Sequence, residues 1–137
     1  MAEHFNPSSV WQPFGAFSMG VVLGTGRIVH LKGQVALDRD GRLVGRGDLA
    51  AQLQQTLDNI AAALSAVGGE MGDIVALTQY TTDIEGFMAC GEIRKRYFQP
   101  PYPVTTTVQV ARLYDPDLLV EITVQAEVPE DRFRLST

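Results

Sequence analysis

The longest alternation of apolar and polar residues lies near the end of the chain, where residues 118–128 read LLVEITVQAEV, interrupted only by Leu119. Leu118, Val120, Ile122, Val124, Ala126 and Val128 share one face of this segment. Leu119, Glu121, Thr123, Gln125 and Glu127 share the other. A period of two predicts a strand whose first face is buried against helices and whose second face stays polar.

A different period governs the middle of the chain. Leu53, Leu57, Ile60, Leu64 and Val67 recur at alternating steps of four and three, the spacing of one helical stripe. Asp48 is placed to cap the start of this helix, and Gly68-Gly69 to stop it. Gln52, Gln55 and Asp58 fall off the stripe and are expected to face water. The segment DIVALTQYTTD, 73–83, predicts a strand leaving the helix. Asp83 then caps a second helix that carries Ile84, Phe87, Met88 and Tyr97 and runs to about Phe98. The prolines of PPYP, 100–103, close it. Proline has no N–H to donate to a ladder, so the next strand begins at Val104 and covers 104–112.

Towards the N-terminus, 16–23 and 27–32 predict two strands joined as a hairpin by the GTG turn at 24–26. Residues 1–14 are broken by Asn6-Pro7 and Pro13 and are expected to be irregular. The order ββ, αβ, αββ predicts a two-layer α+β fold built as a single domain over 1–137.

The strand after the prolines, VTTTVQVAR, raises a chemical question. Period two puts Thr105, Thr107 and Gln109 on one face, which we expect to lie beside Glu121, Thr123 and Gln125. Such a face can be solvated, as in many antiparallel sheets. It can be a subunit interface. It can also line a small-molecule cleft in which Glu121 serves as acid or base.

Bulk properties narrow the classes. The chain has 137 residues, of which 45% are hydrophobic and 20% charged, enough for a core without staples. A net charge of −5 argues against nucleic acid as a partner. No apolar run approaches the ~20 residues of a membrane span. The first residues lack a basic region followed by an apolar run, so no secretory signal is expected and a cytoplasmic location is the default.

Cys90 is the one cysteine, which excludes an internal disulfide and a cysteine-based zinc cluster. It reads as a small buried hydrophobe. His4 and His30 are isolated and form no metal motif, so no metal or other cofactor is expected. Gly33, in KGQ at 32–34, allows a close backbone approach or an N–H contact to an anion, although a bulge or turn is the simpler account. Arg94, Lys95 and Arg96 end the second helix, where cations complement the dipole.

The order of several spaced signatures resembles the Rid family, also called YjgF-type proteins. They are GQ at 33–34, the QLQQTLDNI helix, GDIV at 72–75, YF followed by prolines, VARL at 110–113 and VEI at 120–122. The resemblance covers about residues 16 to 128. It implies a chorismate-mutase-like fold, with a mixed sheet packed on two helices. It also implies a homotrimer whose sheets form a central barrel, with ligand clefts at the subunit interfaces. The family activity best known is cofactor-free hydrolysis of reactive enamines and imines such as 2-aminoacrylate. Other members have been assigned endoribonuclease or translation-inhibitor roles, which this acidic chain supports poorly.

Residue by residue, the resemblance also marks departures. Deaminating members hold the substrate carboxylate with an Arg in the strand after the prolines; that position is Thr105 here. The family's cleft Cys falls on Thr107, its first-strand Tyr on Phe17, its hydroxyl residue before GQ on Lys32, and its second-helix Asn on Gly91. The Glu of the last strand is kept, as Glu121. The resemblance thus implies Glu121 as the catalytic candidate, with Thr105, Thr107, Gly33, Lys32, Phe17 and Gly91 as the substrate-binding set. A neutral threonine does not replace a guanidinium. The expected substrate is therefore an imine or enamine other than simple 2-aminoacrylate. A non-enzymatic metabolite-binding or chaperone-like trimer is the alternative.

Overall fold

The computed structural model describes residues 1–135. Its central feature is a four-stranded mixed sheet. β3 (Arg27–Gln34), β6 (Val120–Val128), β4 (Ile74–Thr81) and β5 (Val104–Gln109) lie in that spatial order. β6 is antiparallel to both neighbours, and β4 and β5 are parallel. The last strand therefore fills the gap between two earlier ones, which explains its unbroken apolar face. Val120, Ile122, Val124, Ala126 and Val128 are all essentially buried.

Helix α1 (Leu49–Ser65) packs across this face. Asp48 caps it by accepting from the Ala51 N–H at 3.1 Å. Leu53, Leu57, Ile60 and Leu64 are fully buried and meet the β6 side chains in one core. Such burial contributes about 1.5–3 kcal/mol per side chain. Gly68 ends the helix in a left-handed conformation, φ 80°, where a Cβ would also collide with the Arg132 carbonyl. Arg132 in turn donates to both Asp73 oxygens, at 3.0 and 2.7 Å, tying the C-terminal segment to the start of β4.

Four expectations need correction. First, the N-terminal strands form no hairpin. β2 (Gly20–Val22) pairs with β1 (Glu3–Phe5), inside the segment expected to be irregular, while β3 joins the main sheet through β6. The GTG segment is held instead by Glu127, which accepts from the Gly24 and Gly26 N–H groups at 2.7 and 3.0 Å. Glu127 is consequently buried rather than on an open polar face.

Second, Gln52 does not face water. Its amide donates to the Gly45 and Asp117 carbonyls and accepts from the Leu119 N–H, so a polar side chain lies fully buried yet satisfied. Third, the second helix is two short ones, α2 (Ile84–Met88) and α3 (Gly91–Lys95). The Cys90 N–H bonds the Phe87 carbonyl three residues back, which tightens the turn just before the poor helix former Gly91.

The fourth correction concerns the sheet faces. Thr105, Thr107 and Gln109 register with Leu77, Gln79 and Thr81, which register with Val124, Ile122 and Val120. Directly paired residues share a face. The three therefore lie on the helix side, not beside Glu121, Thr123 and Gln125. The opposite face carries those three residues together with Tyr80, Thr78, Val108, Thr106 and His30. The sheet order explains the difference: β5 is an edge strand whose helix side is only partly covered, so it can carry polar residues there.

Candidate functional site

Beside that edge lies a cavity of about 490 Å³. Residues 14–19 make one wall, Thr105, Thr107 and Gln79 the sheet side, and Arg94 and Phe98 the side nearest the short helices. Ser18 fixes the first wall. Its N–H donates to the Pro103 carbonyl at 3.0 Å and its hydroxyl to the Tyr102 carbonyl at 2.5 Å. The chain from 16 to 19 thereby runs alongside the entry to β5. Trp11, Phe14 and Phe17 cluster there, with ring centroids 5.3–5.9 Å apart. Trp11 and Phe14 remain 60% and 83% exposed, so this wall forms an open mouth. Gln79 is buried and donates to Thr107 Oγ at 2.9 Å, which orients the threonine hydroxyl.

Arg94 is a functional candidate that sequence reasoning placed only at the helix dipole. It lies seven residues after Phe87 and four before Phe98, both buried, so it occupies the inner stripe of the helical segment. A cation on that stripe was the available signal. Its guanidinium sits over the Phe87 ring, 5.1 Å from the centroid. Its Nε is buried and has no hydrogen-bond partner among the described residues. Burial lowers its pKa, and the nearby Cys90 opposes that effect. The Cys90 thiol itself is pushed up, chiefly by burial, with Arg94 acting the other way. Its Sγ–H donates to the Gly86 carbonyl at 3.3 Å, an arrangement that suits packing rather than a nucleophile.

The sequence-derived candidates divide into two groups. Thr105, Thr107 and Phe17 line the cavity together. Glu121 and Gly33 meet each other on the opposite face of the sheet, where the Glu121 carboxylate lies against the Gly33 Cα. Lys32 is exposed at the bulge in β3 and lies outside the cavity lining. Gly91 opens α3, with open space where a side chain would project. Among the described residues, the cavity lining includes no carboxylate and no histidine. No group of three or more His, Cys, Asp or Glu side chains among those residues is placed to hold a metal.

The model of a protein family described as Endoribonuclease L-PSP matches residues 8–128. The chain belongs to the Rid family. A RutC family protein of Saccharolobus solfataricus is 35% identical over 117 residues, 85% of this chain and 90% of that one. The human 2-iminobutanoate/2-iminopropanoate deaminase is 30% identical over 99 residues, 72% of this chain and 71% of that protein. A Rid-family protein of unknown function from Yersinia pestis superposes with a TM-score of 0.83 at 32% identity, covering 93% of this chain and 98% of that one. A mixed α+β architecture is thus common to this Rid chain and its structural relatives. No helix among its described residues is long and apolar enough to cross a membrane.

Proposed function

We propose that this Rid protein binds a small metabolite in the cavity beside Thr105 and Thr107, and hydrolyses an imine or enamine there. The observation that carries the reading is the convergence of neutral polar atoms and aromatic rings on one cavity of about 490 Å³, within the range of small-molecule sites. The kinship with an imine deaminase supports the reaction class. Thr105 in place of a guanidinium argues against simple 2-aminoacrylate as the substrate.

The reaction needs a group to handle a proton, and among the described residues the cavity lining of one chain supplies no carboxylate. Glu121 lies across the sheet from Thr107, so a ligand touching both draws them from two copies. A homotrimer with outer sheet faces packed inward and clefts between subunits meets this requirement. The half-exposed Ile28 and Val108 on the outer face suit such packing. In that assembly Glu121 activates a water, and the water oxygen adds to the C=N carbon. The nitrogen gains protons, the C–N bond breaks, and ammonia leaves a carbonyl product. Thr107 and the Gly33 N–H orient the ligand.

The test uses 2-imino acids generated in situ, with ammonia release followed with and without the protein. Turnover of at least one imine, lost in Glu121→Ala by a trimer in solution, is the expected result. A second reading, a binding module without turnover, is favoured by the neutral Thr105–Thr107 wall. Ligand binding without acceleration of any imine would establish it.

A further inference from the structure

We infer that Arg94 is the anion-binding residue of this cleft, and that it selects a small carboxylate bearing an aromatic side chain. The inference deepens the small-molecule reading of the cavity and rests on it.

Arg94 combines three properties that an ordinary helix-end cation lacks. Its side chain lines the cavity, whereas Lys95 and Arg96 are exposed. The ion pairs formed among the described residues do not include it, although Lys95, one residue on, pairs with Glu92. Its Nε is buried with no acceptor among the described residues. Buried donors are satisfied in the great majority of cases, and a buried charge without a partner is costly. A cation left in this state is matched when an anion enters the cavity. Arg94 Cζ lies over the Phe87 ring, 5.1 Å from its centroid, and a guanidinium can hold a carboxylate bidentately.

The rest of the cavity defines the ligand. Among the described residues Arg94 is the one charged side chain of the lining, so a monoanion fits better than a phosphate dianion. Thr105, Thr107 and Gln79 offer neutral hydrogen bonds for a carbonyl or imine. Trp11, Phe14 and Phe17 give a three-ring wall that a flat apolar group can stack on. Pyruvate-sized ligands would leave that wall unused. An arylalkyl 2-oxo or 2-imino acid uses both ends.

Calorimetric titration with three stable probes tests the inference: phenylpyruvate, pyruvate (no ring) and phenylacetone (no carboxylate). Phenylpyruvate should bind most tightly, with the other two weaker by about tenfold or more. Arg94→Met should weaken phenylpyruvate by about tenfold and leave phenylacetone unchanged, with Arg94→Lys between them. The inference is overturned if phenylacetone matches phenylpyruvate on the wild-type protein, if no probe binds, or if R94M binds phenylpyruvate normally. The wild-type comparison holds even where a variant folds poorly. Because these probes do not turn over, Arg94-dependent binding without imine hydrolysis would sink the deaminase reading alone. Hydrolysis indifferent to Arg94 would sink this one alone.

Discussion

The Glu121 carboxylate lies directly against the Gly33 Cα. A Cβ built at position 33 would collide with Glu121 Oε2 and come within 3.1 Å of its Cγ. Gly33 is therefore the residue that gives the carboxylate its place. Its φ lies outside the left-handed region, so alanine fits the backbone, and the crowding falls on the flexible end of Glu121. Gly33→Ala should displace that carboxylate and reduce imine turnover towards the level of Glu121→Ala. Stability should fall by only about 1 kcal/mol. Steady-state kinetics with a thermal melt check this. A fully active G33A protein would separate Glu121 placement from function.

Much of this was legible in the sequence. The apolar faces of β6 and α1 followed from periods of 2 and 3.6, because both elements are central and fully packed on one side. The Asp48 cap and the Gly68 stop were equally local signals. The misread positions depended on partners distant in sequence. Gln52 is polar at a buried position because Gly45 and, far along the chain, the 117–119 segment supply its hydrogen-bond partners. β2 lies beside β3 in sequence, yet its partner is the short N-terminal strand. Thr105 and Thr107 could be paired with each other by parity. Only the ladder through β4 decides which face of the sheet they share. Arg94 was hidden because a basic run at a helix end has a sufficient local explanation.

Gln52 tests how far stability rests on a buried polar bridge. Its side chain joins the loop before α1 to the entry of β6 through three hydrogen bonds of 2.8–3.1 Å. Gln52→Leu keeps the volume but leaves the Leu119 N–H and two carbonyls without this partner. A loss of about 2–4 kcal/mol is expected in urea unfolding, with the m-value unchanged. A change under about 0.5 kcal/mol would mean that solvent reaches those groups.

Gln79 and Thr107 should be energetically coupled. Thr107→Val removes the acceptor of a buried amide N–H and should cost about 1–2 kcal/mol. Gln79→Leu should cost a similar amount. The double variant should cost less than the sum, by about 1 kcal/mol, because no orphaned donor remains. Strict additivity in the cycle would show that the pair does not order the cavity floor.

Tyr97 gives the protein a signature in alkali. Its phenol donates to Asp58 Oδ1 at 2.6 Å. Burial, followed by the hydrogen bond and charge of Asp58, raises its pKa to about 12. The unfolded phenol titrates near pH 10. The folded state thus favours the protonated form. The stabilisation is fully present below about pH 10 and lost as pH rises through about 12. In a phenolate absorbance titration, Tyr97 should give a late phase centred at about pH 12. Tyr97→Phe should remove that late phase, and Asp58→Asn should move it to lower pH. The Y97F protein should also lose about 1 kcal/mol near neutral pH, with the deficit shrinking in strong alkali. A late phase that persists in Y97F would assign it to another tyrosine and dissolve the link between α1 and the segment after α3.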